Sequence, residues 1–198
     1  MPASFCRLDK PRAPLLYVGM TAPDLTTTSK YLSLILRHNP QSIGLDLDSR
    51  GWARIEDVIA KSAIPLTRAM ITQVVASSDK QRFAISGDGA KIRANQGHSL
   101  AVDLGLPLAM PPETLFHGTA ARHLDAILSQ GLRKGTRQHV HLSANVETAT
   151  KVGQRHGVPA VLSVAAGQAM RDGHPFWISD NGVWLTIDLP AKYLRVHV

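Results

Sequence analysis

The chain has 198 residues, of which 44% are hydrophobic and 19% charged, the composition of a folded globular protein and not of a disordered one. No stretch reaches the roughly 18 uninterrupted apolar residues of a spanning helix, and a lone cysteine, Cys6, excludes an internal disulfide and a cysteine-rich zinc site. Lys and Arg number 22 against 15 Asp and Glu, a net charge of +7 that favours polyanionic partners, nucleic acid before anionic membrane.

Residues 1–28 read as a tail carrying Pro2, Pro11, Pro14 and Pro23 and a short apolar patch, "LLYVGM". The patch is too short and too late for a signal peptide, which leaves a cytoplasmic protein as the expectation. "SKYLSLILRHNP" then gives an amphipathic helix, N-capped by Thr27, Thr28 or Ser29 and stopped by Asn39 before Pro40. Arg37 and His38 fall at its end. Basic groups there either cap the last carbonyls or present a fixed guanidinium and a titratable imidazole to an anion.

"IGLDLDSRGWARIEDVIAKS" predicts a short alternating strand, a turn at Ser49–Gly51 and a helix from about Arg54. "LTRAMITQVVASS" has Leu66, Met70, Val74 and Val75 at helical spacing. "RFAISGDGAKIRANQ" predicts a hairpin, Arg82–Ser86 and Lys91–Ala94, around Gly87-Asp88-Gly89. Helices followed by a hairpin suggest a winged-helix module, against the broader alternative of any small α+β domain. Pro107, Pro111 and Pro112 in "GLPLAMPPET" break the chain, so residues 29–104 form one lobe, 105–113 a linker and 114–198 a second lobe.

The second lobe is richer in strands. "TLFHGT", "HVHLS" and "PAVLSV" are strands, "HLDAILSQGL" and "VETATKVGQRHG" are helices closed by Gly131 and Gly157, and "FWISDNGVWLTIDL" is a hairpin turning at Asp180-Asn181-Gly182. This makes an α+β lobe with a mainly antiparallel sheet. No GxGxxG or Walker sequence occurs, which disfavours Rossmann and P-loop nucleotide folds.

Nine histidines offer many chemical candidates. His139 and His141 share a strand face and could begin a zinc site, but no clustered carboxylate or cysteine completes one, and no metal is expected. No G-x-S-x-G elbow supports a serine hydrolase, and the sparse carboxylates do not support glycoside chemistry. Arginine is left at strand edges and turns, Arg82 opening the hairpin and Arg137 just before "HVHLS". The guanidinium fork is a natural ligand for phosphate oxygens wherever several converge.

"SKYLSLILRHNP", "GWARIEDVI", "SSDKQRFAIS", "IRANQGHS", "LFHGT", "VHLS", "VGQRHG" and "NGVWLT" occur in this order and together closely resemble the RNA 2′-phosphotransferase family, the bacterial KptA-type and eukaryotic tRNA-splicing enzymes. The resemblance spans about Thr27 to Leu194. It implies a winged-helix, RNA-binding first lobe and an NAD-binding second lobe of the ADP-ribosyltransferase type. It also implies an activity: removal of an internal RNA 2′-phosphate by transfer to NAD⁺. In the family's first step the 2′-phosphate displaces nicotinamide and leaves an ADP-ribosylated RNA. In the second the neighbouring ribose hydroxyl attacks phosphorus, giving 2′-OH RNA and ADP-ribose 1″,2″-cyclic phosphate.

The family's catalytic set matches Arg37, His38, Arg82 and Arg137, and Lys80 matches a basic position that assists the second step. His117, Gly118 and Thr119 match the first NAD-binding motif, and His141, Leu142 and Ser143 the second. Where many ADP-ribosyltransferases carry a catalytic glutamate, "NGVWLT" has Val183. An anionic 2′-phosphate needs no base to become a nucleophile, so the missing carboxylate fits RNA phosphate chemistry better than protein modification. The implied partners are NAD⁺ as co-substrate and a tRNA-like RNA, with no metal, no membrane and a monomeric enzyme. The alternatives are ADP-ribosylation of terminal nucleic-acid phosphates and a winged-helix DNA-binding regulator.

Overall fold

The structure is a computed structural model and describes residues 24–78 and 80–197. Cys6, the "LLYVGM" patch and the four prolines of the tail lie outside the described residues.

Helix α1 spans Leu25–Arg37 and starts earlier than the serine and threonine run suggests. Asp24 is its N-cap, its Oδ1 accepting from the Thr27 amide at 2.7 Å, so Thr27, Thr28 and Ser29 lie inside the helix. The buried face is Thr28, Leu32, Ile35 and Leu36. Asn39 then caps a 3₁₀ turn over Pro40–Ile43, its Oδ1 accepting from Ser42 N at 3.2 Å.

The alternating strand expected from "IGLDLD" does not form. Asp48 Oδ1 accepts from the amides of Arg50 (3.0 Å) and Trp52 (2.9 Å), curling the backbone into an aspartate turn closed at Gly51 with φ +77. Leu45 reaches the core from irregular chain, and strand β1 is displaced to Ala53–Arg54. Helices α2 (Ile55–Lys61) and α3 (Arg68–Ala76) follow, the latter capped by Thr67. β2 (Phe83–Ile85) and β3 (Lys91–Ala94) form the expected hairpin in register Phe83–Ala94 and Ile85–Ile92, with β1 on the outer side of β3. Leu32, Ile35, Leu36, Ile55, Ile71 and Ile92 are fully buried in the core these elements share.

Beyond the prolines, β4 (Leu115–Ala120), α4 (Leu124–Gln130), β5 (Val140–Leu142), α5 (Val146–Gly153) and β6 (Pro159–Val164) follow the sequence reading. α6 (Ala166–Arg171) is an element that reading lacks. β7 (Phe176–Ile178) and β8 (Trp184–Thr186) turn at Asp180–Gly182, and a last strand, β9 (Leu194–Val196), was also unforeseen. The strands make two three-stranded antiparallel sheets, β4-β6-β9 and β5-β8-β7, around a second core built on Leu115, Leu162, Val164 and Phe176. Phe116 and Ser143 exchange backbone hydrogen bonds of 2.9 and 2.8 Å and so join one sheet to the other. The whole is α+β. No helix among the described residues is long and apolar enough to cross a membrane.

Candidate active site

The C-terminal end of α1 brings Arg37 under the start of β2. Its guanidinium donates to the Arg82 carbonyl at 3.2 Å and lies 5.7 Å over the Phe83 ring. Burial, then the charges of Arg82 and Arg137, push the Arg37 pKa down to about 10. The causes identify the arrangement: three arginines from α1, the start of the hairpin and the loop before β5 sit close enough to repel one another. None of the three forms an ion pair with a described carboxylate. Uncompensated guanidiniums that converge mark a site for an external anion.

His38, at the C-cap of α1, completes the group. Its pKa is lowered by burial, then by Arg37 and Arg137. Nδ1 lies 3.1 Å from Ser99 Oγ, while the Ser99 hydroxyl also reaches the Arg37 carbonyl at 3.4 Å and the Ser99 amide donates to that carbonyl at 3.0 Å. Lys80 is exposed, and its carbonyl accepts from Asn181 Nδ2 at 2.8 Å.

The residues expected at NAD⁺ divide into two groups. His117 and His141 meet directly, since His117 Nδ1 donates to the His141 carbonyl at 3.1 Å. That bond places the His117 proton on Nδ1 and leaves Nε2 as the acceptor of a neutral ring. Burial lowers the His117 pKa, against the opposing effect of the hydrogen bond to the His141 carbonyl, and Arg137 lowers it further. His141 is pushed down to about 3 by burial and then Arg137, and its Nε2 lies 2.8 Å from Gln96 Oε1. Thr119 and Ser143 border this pair, Thr119 almost buried on β4 and Ser143 through its backbone bridge to Phe116.

Leu142 and Gly118 serve the fold. Leu142 is buried in the second core. A Cβ on Gly118 would lie 1.7 Å from the Ala149 carbonyl oxygen, so Gly118 lets the backbone of α5 rest on β4. His139 packs edge-on to Trp177 at 5.1 Å while His141 Nε2 lies against Gln96. Among the described residues no three His, Cys, Asp or Glu side chains gather as a metal site would require. Val183 occupies the turn after β7, bonded through its backbone to Ser179, and the nearby Asp180 is taken by Arg93 at 2.9 Å.

The segment Gln96–Ser99 is what sequence reasoning missed. It follows β3 and touches both sides of the site. Gln96 orients His141, Ser99 orients His38, and the His98 carbonyl accepts from Gln138 N at 3.1 Å, next to Arg137. The His98 ring is buried at 1% exposure, neither nitrogen has a partner among the described residues, and burial followed by Arg37, His38 and Arg93 pushes its pKa down to about 4. The segment does stand in the sequence as the resembling piece "IRANQGHS", but with no role for its residues.

Comparison with known proteins gives the family. A family model described as "RNA 2'-phosphotransferase, Tpt1 / KptA family" matches residues 23–188. The chain belongs to the RNA 2′-phosphotransferase, Tpt1/KptA family. It is 59% identical over 174 residues to a probable RNA 2′-phosphotransferase of Agrobacterium fabrum, covering 86% of this chain and 94% of that one. Proteins of the same description from Streptomyces coelicolor (55% over 170 residues, 84% and 92% covered) and Burkholderia lata (52% over 180 residues, 89% and 93% covered) are similar over nearly the same span. The family match takes in both the arginine cluster and the His117–His141 pair.

Proposed function

We propose that this chain removes an internal 2′-phosphate from RNA by transferring it to NAD⁺, through an ADP-ribosylated RNA, and that Arg37, His38, Arg82 and Arg137 hold the transferred phosphate. The observation that carries this reading is the convergence of three arginines, unpaired with any described carboxylate, on a histidine at a helix end. Residues 29–104, three helices with a hairpin, then act as a winged-helix RNA-binding lobe, and residues 114–198 as an ADP-ribosyltransferase-like lobe, joined by 105–113.

NAD⁺ supplies a ribose carbon bearing a cationic leaving group. His117, Thr119, His141 and Ser143 are the residues that would receive it, and their chemistry fits: neutral, partly buried donors and acceptors beside Arg137 suit a polar dinucleotide with a diphosphate. The guanidiniums bind the 2′-phosphate and orient it for displacement, a step that requires positioning more than acid–base help. They then stabilise the charge that builds on phosphorus when the adjacent ribose hydroxyl attacks. His38, with Nδ1 anchored on Ser99, exchanges a proton at Nε2. With Val183 in place of a carboxylate, no base awaits a neutral acceptor, and a nucleophile that is already anionic is the one this site accommodates.

The test is incubation of the protein with NAD⁺ and an RNA bearing one internal 2′-phosphate. The expected products are nicotinamide, RNA with a free 2′-hydroxyl and ADP-ribose 1″,2″-cyclic phosphate. Accumulation of ADP-ribosylated RNA alone would instead establish an ADP-ribosyltransferase, and no NAD⁺ consumption would reject both.

A further inference from the structure

An open groove of about 480 Å³ leads away from His38 and Arg82 between α1 and the C-terminal end of α3. Every residue that lines it lies between Leu25 and Arg82, so it is separate from the β4–β5 region that carries His117 and His141. On α1 the wall is Thr26, Ser29, Lys30 and Ser33, spaced i, i+3, i+4 and i+7, which makes one continuous face. That face points away from the core residues Leu32, Ile35 and Leu36. Ser77 and Ser78 supply hydroxyls from the opposite side. Leu34, 47% exposed, adds apolar surface between them.

Helices that present a polar face to water are commonly built from Glu, Lys and Gln. This one is built from hydroxyls and a single lysine, and no described carboxylate lines the groove. Short hydroxyls with an occasional cation are the usual side-chain ligands of sugar and phosphate oxygens, and they bind without reading bases. Aliphatic patches between them suit ribose edges and base faces. From Thr26 to His38 the face runs about 18 Å along the helix at 1.5 Å per residue, long enough for more than one nucleotide.

We infer that the groove between α1 and α3 is a track for the RNA strand flanking the 2′-phosphate, holding its sugar–phosphate backbone through the hydroxyls of Ser29, Ser33 and Ser77 and the ammonium of Lys30. The inference rests on the RNA phosphotransferase reading above, and it adds that substrate length is sensed on the first lobe, away from the reacting atoms. A junction dinucleotide needs only the arginine cluster, whereas a longer RNA gains contacts along α1.

The experiment compares the full-length chain with its Lys30→Glu and Ser33→Asp variants on two substrates: a 2′-phosphorylated dinucleotide and a longer RNA carrying the same junction. Lys30 is exposed and Ser33 half-buried on the groove wall, and both lie outside the catalytic set. The unaltered chain should show a lower KM for the longer RNA. The variants should turn over the dinucleotide within about twofold of the unaltered rate, while KM for the longer RNA rises about tenfold and, in Lys30→Glu, the slope of its salt dependence falls by about one. Unimpaired dinucleotide turnover also shows that the variants fold. The inference is overturned if the unaltered chain does not distinguish the two lengths, if the variants leave the longer RNA unaffected, or if both substrates suffer equally. Failure of the unaltered chain to turn over either substrate removes the phosphotransferase reading and the track with it, an outcome distinct from the other three.

Discussion

The hydroxyl of Ser99 lies 3.1 Å from His38 Nδ1, and the Ser99 amide donates to the Arg37 carbonyl at 3.0 Å, so one residue ties the imidazole to the end of α1. With Nδ1 engaged by Ser99, Nε2 is the ring nitrogen left for a proton exchange. Ser99→Ala removes the anchor from an exposed position and leaves the arginines in place. Its kcat should fall about tenfold, a part of what general acid–base catalysis contributes, with KM for RNA little changed. Ser99→Thr, which retains the hydroxyl, should restore most of the rate. Equal loss in the threonine variant would assign Ser99 to packing. His98 beside it makes a different prediction. Its folded pKa is about 4, against 6.5 for the free side chain, so between these values the unfolded chain binds more protons and stability rises with pH. The contribution of the neutral ring is complete above pH 6.5 and is lost as pH falls towards 4, at up to about 1.4 kcal/mol per unit. Urea unfolding at several pH values should show His98→Leu with a shallower acid slope, by about one proton. His141, also held neutral, would supply the slope that persists. An unchanged slope in the variant would exclude His98 as its source.

At the scale of elements, the contact between α5 and β4 shows how a single glycine can set a fold. Gly118 faces the Ala149 carbonyl, and Gly153 faces the Thr119 carbonyl, where a Cβ would come within 2.6 Å. A strand and a helix meet backbone to backbone, and His117 and Thr119 on the other strand face are placed by that meeting. Gly118→Ala should cost at least the 1–3 kcal/mol, roughly, of an overpacked core, and NAD⁺ binding should weaken with it. Gly135, at φ +63 with open space around it, should tolerate alanine at a cost of about 1 kcal/mol. Thermal midpoints compare the two, and similar losses would mean that α5 shifts freely. Elements of this kind were legible where the pattern was local. The apolar face of α1, the Gly87–Gly89 hairpin and the Asp180–Gly182 turn each announce themselves within a few residues. "IGLDLD" misled because its alternation is that of a strand while Asp48 closes a turn on its own amides. α6 is six residues long, and β9 exists only through pairing with β6, some 30 positions away, so neither has a signature of its own. The site followed the same rule. Arg37, His38, Arg82 and Arg137 could be named by resemblance, but Gln96 and Ser99 act through partners 45 and 61 residues distant, which no window of sequence displays.

Across the whole molecule, the Asp180–Gly182 turn of the second core grips the first. Asp180 pairs with Arg93, itself stacked 4.7 Å over Trp52, and Asn181 Nδ2 donates to the Lys80 carbonyl. Asn181 is held in turn by Ser179, whose hydroxyl donates to its Oδ1 at 2.7 Å. The receiving segment is one in which every carbonyl is claimed: Lys80 by Asn181, Gln81 by Asn95 Nδ2 at 2.6 Å, and Arg82 by the Asn95 amide at 2.9 Å and Arg37 at 3.2 Å. Gln81 has φ 38, a left-handed conformation that costs a side-chain-bearing residue about 1–3 kcal/mol and persists only where neighbours over-determine it. Arg82 is therefore set by both halves of the molecule: Asn181 of the opposite half holds the Lys80 carbonyl, and Asn95 of the same half holds Gln81 and Arg82. Asn181→Ala removes one clamp of three. A single lost hydrogen bond should lower stability by only about 1 kcal/mol, yet misplacing Arg82 relative to Arg37 should lower kcat by about tenfold or more, because a small displacement of a positioning group is amplified in rate. Asn181→Asp, which fills the same volume and cannot donate to the carbonyl, should be at least as impaired. NAD⁺ binding, measured by calorimetry, should be unchanged in both, since His117 and His141 are untouched. Wild-type kcat in the alanine variant, or a loss of NAD⁺ affinity that accounts for its rate, would show that Asn181 joins the halves without positioning Arg82.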